Sequence, residues 1–439
     1  MATASLHPAQ APFPLTSPRP DPALAHRTAS TLVEVRDADG HPLAETDVVA
    51  EQVDHAFGFG CIGFELLPSS PAAAEEDPVS DAEREVMAAQ WLELFNTATL
   101  PFYWGQHEPE EGAPQTDRLR RGAQWFAGRG VRLKGHPLAW HTLAPPWLRG
   151  RDLEEVERLL RGRITREVTA FTGLIDTWDA INEVVIMPVF TAEDNAITPL
   201  ARRLGRIGIT RLAFETARAA NPSATLLLND FDMSTAYDTL VEGVLEAGVQ
   251  VDALGLQSHM HQGWWGEEKT LEVLERLSRY GLPLHLTETT LVSGDLMPAH
   301  VEDLNDHVVE PGGWPSTPEG EARQAEELER HYRTVLSHPS VESITWWGLW
   351  DRFAWLHAPA GLVRPDGTPK PAYDTLRRLV RQEWWLSPTT VRTDGDGRLP
   401  LTGWLGRYAV RLPDGRCAEV HLTPGTERLT AHVGAPAPA

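Results

Sequence analysis

The segment VDALGLQSHMHQGWWGEEKTLEVLERLSRYGLPLHLTETT, residues 251–290, contains one complete strand–helix–strand unit of this 439-residue chain. Apolar runs at 251–259 and 282–290 flank TLEVLERLSRY (270–280), in which leucine and valine recur at helical spacing with charged residues between them. Strands that alternate with helices favour a parallel sheet, because the helix returns the chain to the end of the sheet where the first strand began.

The same order of elements recurs through residues 58–383. The apolar runs that we interpret as strands are 58–64, 97–104, 131–140, 175–183, 224–230, 251–259, 282–290 and 342–351. Eight such units in about 325 residues predict a closed (β/α)8 TIM barrel. A doubly wound open sheet is the alternative, but GFGCIGF (58–64) offers no helix-opening third glycine, because Gly58, Gly60 and Gly63 all lie within the apolar run itself.

The two ends of the chain have a different pattern. Residues 30–57 alternate in polarity around DADG and predict a β-hairpin, and residues 384–432 contain short strands separated by DG turns. We expect these segments to form one small accessory β-domain, with two unrelated β-decorations as the alternative. The Pro- and Ala-rich residues 1–29 predict a flexible leader, and residues 433–439 a disordered tail.

The amino-acid composition limits the kinds of molecule that the chain is expected to bind. The formal net charge of −23 disfavours nucleic acid and anionic membrane surfaces, and it is compatible with a neutral substrate. With only Cys61 and Cys417, the chain has no disulfide framework, and we expect buried free thiols, with a bridge between the two ends of the chain as the alternative. The N-terminus lacks the basic and apolar regions of a signal peptide, and no apolar stretch is long enough to span a membrane. These features predict a cytoplasmic protein, although they leave secretion open, and they say nothing of oligomeric state.

Polar and aromatic residues follow the apolar runs. Barrel enzymes carry their active sites at the C-terminal ends of the strands, so these residues are expected to share one mouth. They are Trp104, Trp140, His141, Asn182, Glu183, Asn229, Asp230, Gln257, His259, Glu288, Trp347 and Asp351.

Two carboxylates are the strongest catalytic candidates. WDAINE ends the fourth run with Glu183, and LHLTE ends the seventh with Glu288. Cleavage of a glycosidic bond needs an acid for the departing oxygen and a second carboxylate as base or nucleophile, at a separation that sequence does not give. A single glutamate at a strand end is more often a salt bridge or a helix cap, but here both stand in a matched set. Asn182 can donate to a sugar 2-hydroxyl, and His259 can keep a carboxylate ionised.

Histidine and tryptophan near the mouth allow two further interpretations. His136, His141, His259 and His261 could be metal ligands, but no HExxH or equivalent spacing places two of them on one helix face, and we predict no metal and no cofactor. Trp140, Trp347 and Trp355, with Trp104, could offer flat faces to a sugar ring. A packed barrel rim is the alternative for these tryptophans.

Six motifs in order resemble glycoside hydrolase family 10, the retaining endo-β-1,4-xylanases, over about residues 90–383. They are KGHPLAWH (134–141), WDAINE (178–183), LLLND (226–230), LGLQSHMH (254–261), LHLTET (284–289) and TWWGLWDRFAW (345–355). The resemblance implies that Glu183 is the acid/base, that Glu288 is the nucleophile and that configuration is retained. It also implies a central sugar subsite formed by His141, Asn182, Gln257, His259, Trp347 and Trp355.

The chain departs from that family after the second strand. There the family usually has a Glu-Asn pair and a Lys that bind the non-reducing side of xylan, whereas this chain has Pro101, Phe102 and Tyr103. Thr289 and Thr290 also replace an Asp after the nucleophile motif. Since polar contacts give strong discrimination between sugars, we expect non-standard subsites on the non-reducing side. The expected substrate is β-1,4-xylan, xylo-oligosaccharides or a related β-glycoside, including one with an apolar aglycone; the alternative is a non-catalytic carbohydrate-binding protein on the same barrel.

Overall fold

The computed structural model describes residues 15–16, 21–68, 79–309 and 312–434 of the chain. They form two compact units. One unit is the continuous segment Gly58–Leu376, and the other combines the chain up to Phe57 with the chain from Arg377 onward.

Eight parallel strands close into a ring in the first unit. They are β1 (Gly58–Ile62), β2 (Thr97–Pro101), β3 (Arg132–His136), β4 (Thr177–Asn182), β5 (Thr225–Asp230), β6 (Ala253–Leu256), β7 (Leu284–Leu291) and β8 (Val341–Trp346). Each strand pairs in parallel with the next, and β8 pairs with β1. The predicted (β/α)8 barrel is therefore confirmed.

A helix follows each strand of the ring. These are α1 (Asp81–Leu94), α2 (Thr116–Ala127), α3 (Leu153–Phe171), α4 (Ile197–Ala220), α5 (Thr235–Glu246), α6 (Gly266–Ser278), α7 (Pro318–Ser337) and α8 (Pro371–Arg378). Side-chain oxygens of Ser80, Asp152 and Thr317 accept backbone N–H groups at the starts of α1, α3 and α7, as N-caps do. None of the helices in the described ranges combines the length and apolar character that a bilayer crossing requires.

Burial on both faces of the barrel sheet explains why the strand sequences are continuous apolar runs. In β4 and β5 every residue after the first is buried, because both faces of a barrel sheet are covered. Gly135 in β3 is required by this packing, since a Cβ there would lie 2.2 Å from the Trp178 ring of β4. The glycine thus lets β3 and β4 approach closely, and the ends of these strands carry His136 and Glu183.

The second unit is a β-sandwich of two four-stranded sheets. In order across each sheet, the strands are Leu15–Thr16, Arg398–Trp404, Thr28–Arg36 and Arg428–His432 in one, and Thr389–Arg392, Asp47–His55, Gly406–Arg411 and Cys417–Leu422 in the other. Side chains from both sheets, such as Val35 and Val410, form one buried cluster. The accessory β-structure predicted from both termini is present, and each sheet contains strands from both ends of the chain.

The predicted hairpin at 30–57 is wrong. The DADG turn forms, with the Asp37 N–H donating to the His41 carbonyl at 2.9 Å, but pairing beyond it is limited to one bridge between Arg36 and Pro42. Pro42 has no N–H to continue a ladder. The strands Thr28–Arg36 and Asp47–His55 enter different sheets, where their apolar faces meet across the sandwich core instead of lying side by side.

The limits of the predicted leader and tail also change. Residues 1–14, 17–20 and 435–439 lie outside the described residues. Within the leader, however, Asp21 caps a 3-10 helix at Pro22–Arg27, and a strand begins at Thr28. In the predicted tail, Val433 is buried in the sandwich core and donates its N–H to the Arg36 carbonyl at 2.8 Å. Backbone pairing and burial therefore order residues that composition alone assigned to disorder.

Candidate active site

Glu183 and Glu288 share one hydrogen-bond network at the C-terminal end of the barrel. Glu183 directly follows β4, Glu288 lies within β7, and their side chains are 14% and 5% exposed. Two amides connect them through Asn182 Oδ1. Asn229 Nδ2 donates to this oxygen at 2.8 Å and to Glu288 Oε1 at 2.9 Å. Gln257 Nε2 donates to it at 3.0 Å and to Glu183 Oε1 at 3.2 Å. The structure thus brings together both predicted carboxyls and the predicted Asn182 and Gln257.

The backbone at Glu183 has a conformation that only few residue types adopt readily. Its φ is 57°, in the left-handed region, where a glutamate is held only if the surroundings fix it. The Glu183 N–H donates to the Asn229 carbonyl at 2.9 Å, and the Val185 N–H donates to Asp230 Oδ2 at 3.0 Å. Asn229 and Asp230, at the end of β5, therefore hold the turn that carries the Glu183 side chain.

Glu183 is surrounded mainly by neutral groups. Trp140 Nε1 donates to its Oε2 at 2.8 Å, in addition to the amides. Burial raises the pKa of Glu183 to about 8, and the nearby charges of Glu288 and Asp230 act in the same direction against the Trp140 hydrogen bond. The carboxyl is therefore protonated at neutral pH, as a general acid must be.

Glu288 has the opposite surroundings. Its Oε2 lies 3.1 Å from His259 Nε2, and its Oε1 lies 4.0 Å from His136 Nε2. Behind these, Asp179 Oδ2 contacts His136 Nδ1 at 2.7 Å and Lys134 Nζ at 2.8 Å. Burial by itself raises the pKa of Glu288, but His136, His259 and Lys134 outweigh it and hold the pKa below the usual range. This carboxyl is ionised at neutral pH, as a nucleophile must be.

The predicted His141 also lies beside Glu183. Its Nε2 is 3.8 Å from Glu183 Oε2, and its ring centroid is 4.1 Å from that of Phe190. Burial lowers the pKa of His141 to about 3, so the imidazole is neutral. Because the neutral His141 ring carries no positive charge, it does not lower the raised pKa of Glu183.

Three predicted tryptophans border the same cluster. The Trp347 ring centroid lies 5.3 Å from His136 and 6.0 Å from His259, and that of Trp355 lies 4.8 Å from His259. Trp140 reaches Glu183 directly. Trp140 and Trp355 keep part of their surface accessible, as an aromatic platform for a ligand requires, whereas Trp347 is buried.

Trp104, the fourth predicted tryptophan, is not part of this group. It is buried, its Nε1 donates to Glu108 Oε2 at 2.9 Å, and its ring packs against Trp147. The preceding residue, Tyr103, lies at the site instead, with its ring centroid 5.6 Å from those of both His136 and Trp140. The apolar run at 97–104 suggested that the strand ends at Trp104, whereas β2 ends at Pro101, and this difference changes which aromatic residue faces the mouth.

Two other strand-end residues have structural partners. Asp351 Oδ1 accepts from Lys370 Nζ at 2.7 Å, which explains it as half of a buried ion pair. His261 is fully buried, with Nδ1 3.4 Å from Thr290 Oγ1. Within the described ranges, the histidine and acidic ligand atoms of the mouth do not converge into a metal-binding group of three.

A closed (β/α)8 barrel that gathers two glutamates, amides and tryptophans at the C-terminal end of its strands is an arrangement suited to the cleavage of glycosidic bonds. The sequence matches the model of glycosyl hydrolase family 10 over residues 72–379. The chain belongs to this family, whose members are O-glycosyl hydrolases, and the resemblance drawn from the six motifs is confirmed.

Individual relatives are distant. The chain is 26% identical over 397 residues to the anti-sigma-I factor RsgI6 of Acetivibrio thermocellus, a match that covers 88% of this chain and 45% of that protein. It is 25% identical over 317 residues to endo-1,4-beta-xylanase B of Thermotoga neapolitana, with 69% and 85% covered. The crystal structure of xylanase 10B from Thermotoga petrophila RKU-1 in complex with xylobiose is similar in fold, with a TM-score of 0.57, 23% identity, and 74% of this chain and 95% of that chain covered.

Proposed function

We propose that this protein hydrolyses β-glycosidic bonds with retention of configuration, with Glu183 as acid/base and Glu288 as nucleophile. The observation that carries the proposal is that Glu183 and Glu288 share one hydrogen-bond network, while an indole and amides contact Glu183 and two histidines lie beside Glu288. The pKa of Glu183 is raised to about 8 and that of Glu288 is held below its usual range. A double displacement needs one protonated and one ionised carboxyl at the start of the reaction.

In the first step, Glu288 attacks the anomeric carbon. A bond forms between a Glu288 carboxyl oxygen and this carbon as the bond to the leaving oxygen breaks, and the Glu183 proton passes to that oxygen. Asn182 has its Nδ2 3.3 Å from Glu183 Oε1, so this amide can also donate to a sugar hydroxyl beside the reacting bond.

In the second step, water releases the sugar. The ionised Glu183 removes a proton from a water molecule whose oxygen attacks the anomeric carbon, and Glu288 leaves as a carboxylate. His259, His136 and Lys134 stabilise the Glu288 carboxylate at the start and at the end of the cycle. Two inversions at the same carbon give a product with the configuration of the substrate.

The proposed substrate is β-1,4-xylan, xylo-oligosaccharides or a related β-glycoside. The names of the xylanase relatives and the xylobiose bound in a protein of the same fold support a xylose-containing chain. The non-standard residues after β2 support a glycone-side subsite unlike that of those xylanases.

The decisive experiment compares the wild-type chain with Glu288→Ala on aryl β-xylosides. We expect the wild type to release the phenol and to form the β-anomer of the sugar first, as seen by proton NMR. Glu288→Ala is expected to lose at least about 10⁴-fold in kcat, and azide is expected to restore turnover with the α-glycosyl azide as product. An active Glu288→Ala variant without azide, or an α-anomer from the wild type, would contradict the mechanism.

A non-catalytic carbohydrate-binding role is the second candidate. The observation that favours it is the similarity to an anti-sigma factor over 88% of this chain. Binding alone does not require one protonated and one ionised carboxyl, which is why we prefer hydrolysis. Xylo-oligosaccharide binding with no release of phenol or reducing sugar across the pH range would support the binding role.

A further inference from the structure

Arg163 is a buried cation of the barrel unit that the proposed mechanism does not use. It lies on α3, the helix that follows β3, and is only 2% exposed. Among the described residues its guanidinium donates only to backbone carbonyls. Nη1 donates to the carbonyl of Leu138, and Nη2 donates to that of Phe102 and, at 3.3 Å, to that of Pro137. One side chain therefore binds the segments directly after β2 and β3 at the same time.

These carbonyls, and not an acid, hold the Arg163 charge. Within the described residues the guanidinium forms no ion pair, and Glu167 and Glu108 act on its charge only from a distance. The Trp104 ring covers the guanidinium, with the ring centroid 5.2 Å from Cζ. Burial lowers the pKa of Arg163 to about 10, so the side chain keeps its proton at neutral pH. Loss of either contact would leave a buried charge unsatisfied, so the cation favours one arrangement of the two segments.

The segment after β3 carries two side chains that lie against the proposed acid. Trp140 and His141 come two and three residues after Leu138. Trp140 Nε1 donates to Glu183 Oε2 at 2.8 Å, and His141 Nε2 lies 3.8 Å from the same oxygen. Arg163 is therefore separated from the surroundings of Glu183 by two residues of backbone, although its own hydrogen bonds do not include that carboxyl.

The segment after β2 supports Trp140 from another direction. Tyr103 directly follows Phe102, and its ring centroid lies 5.6 Å from that of Trp140. The Phe102 N–H donates to the His136 carbonyl at 2.6 Å, which connects this segment to the end of β3. The two segments that Arg163 binds thus meet at the Trp140 indole.

We propose that Arg163 is a positioning residue for the acid, which holds the segments after β2 and β3 together and so fixes the Trp140 indole against Glu183. The inference rests on the proposed function, since it takes Glu183 to be the acid. The planar guanidinium presents its donors as a rigid fork, so it can bind both segments at once. An ammonium or an amide has no such fork. Without the indole, the Glu183 carboxyl can turn, and a misplacement of about 1 Å at a reacting group can cost about 10²-fold in rate.

Other hydrogen bonds keep the segment after β3 on the barrel when Arg163 is replaced. The Leu138 N–H donates to the Asp179 carbonyl at 2.9 Å, and the Asn182 N–H donates to the Ala139 carbonyl at 2.9 Å. These bonds attach the segment to β4, so we expect substitutions of Arg163 to shift Trp140 without unfolding the barrel.

The kinetic test compares Arg163→Lys and Arg163→Gln with Arg161→Ala, which removes an exposed arginine from the same helix. The measured quantity is kcat/KM on aryl β-xylosides, which reports the first step alone. For both Arg163 variants we expect a loss of at least about tenfold with a methoxyphenyl leaving group and less than about threefold with dinitrophenyl, which leaves without a proton. Arg161→Ala is expected to match the wild type. An equal loss on both glycosides, or no loss on either, overturns the proposal.

Hydrogen exchange of the Trp140 indole N–H, followed by NMR, separates this inference from the proposed function because it needs no turnover. Its signal is identified by its absence in Trp140→Phe. The reference is Trp346, identified in the same way, whose Nε1 donates to the Ala360 carbonyl at 3.0 Å. In both Arg163 variants we expect Trp140 to exchange at least about tenfold faster and Trp346 to be unchanged.

This measurement decides the role of Arg163 even if no glycoside is hydrolysed and the proposed function fails. Faster exchange of Trp140 alone supports the positioning role. Equal exchange of Trp140 in the wild type and the variants overturns it. Faster exchange of both indoles, as a general loss of the fold would give, also overturns it.

Discussion

Glu183 and Glu288 are the same type of residue at the same end of one barrel, with side chains only 14% and 5% exposed, yet their pKa values move in opposite directions. The surroundings of Glu183 are an indole, amides and a neutral imidazole, so burial dominates and the proton is retained. The surroundings of Glu288 include His136, His259 and Lys134, so positive charge dominates and the proton is lost. Burial alone therefore does not decide the role of a carboxyl; the charge of the nearest side chains does.

The largest difference between substitutions of Glu183 and of Glu288 is expected in kcat. Glu183→Gln removes only the acid, so we expect kcat to fall about 10²–10⁴-fold on glycosides with poor leaving groups and much less on dinitrophenyl glycosides, which leave without a proton. Glu288→Gln removes the nucleophile and is expected to lose at least about 10⁴-fold on both. Initial rates on a series of aryl glycosides measure this contrast, and an equal dependence on leaving group in both variants would contradict the assignment.

Stability is expected to respond in opposite directions to the same pair of substitutions. The folded pKa of Glu183 is raised, so the folded state retains a proton that the unfolded state releases, and stability falls as pH rises from about 4.5 to about 8. Glu183→Gln cannot ionise and is expected to be more stable than the wild type at pH 9, by about 2 kcal/mol, with little difference at pH 4.

For Glu288 the sign is reversed. Its folded pKa is depressed, so the carboxylate contributes stability above its unfolded pKa and loses it as pH falls through the folded pKa. Glu288→Gln is expected to destabilise the chain by about 2 kcal/mol at pH 7, because His136 and His259 lose their partner. Urea unfolding followed by tryptophan fluorescence at several pH values measures both variants, and a shift of the same sign for both at high pH would refute the difference in surroundings.

The smallest expected effect concerns Asp230, whose carboxyl holds the Val185 N–H behind Glu183. Burial raises the pKa of Asp230 itself to about 7, and its charge raises that of Glu183. In Asp230→Asn we expect the basic limb of kcat/KM, which reports deprotonation of Glu183, to move to lower pH by up to about one unit. The matched control is Asp194→Asn, an exposed acid in the loop after β4, which should leave the profile in place. An unchanged basic limb in Asp230→Asn would show that the charge of Asp230 does not act on Glu183.

Much of the site could be predicted from sequence because barrel topology brings strand ends together whatever the loops do. WDAINE located the end of β4 with Asn182 and Glu183, and LHLTE located Glu288 near the end of β7, which continues to Leu291. Tyr103 was not identified as a site residue, since it lies in the segment after β2, where no motif marks the last residue of the strand. Trp104 was assigned to the mouth in place of Tyr103 for the same reason.

The β-sandwich shows the same limit on a larger scale. Alternating polarity correctly predicted strands at both ends of the chain. It did not predict which strands pair, because every strand with one apolar face fits either sheet equally well. The strands Thr28–Arg36 and Asp47–His55 were therefore expected to pair, and the structure places them in separate sheets.

The sequence by itself determined the alternation of strands and helices, and this alternation predicted the barrel. It also determined the order of the motifs, which identified the two glutamates. Only the tertiary structure decided which of these carboxyls retains its proton and which aromatic residue after β2 lies at the mouth. The physical reason is that periodicity and chain order are local properties of the sequence. Burial and the charge of neighbours arise from residues far apart in the chain, such as Lys134, Asp179 and Glu288, that folding brings together.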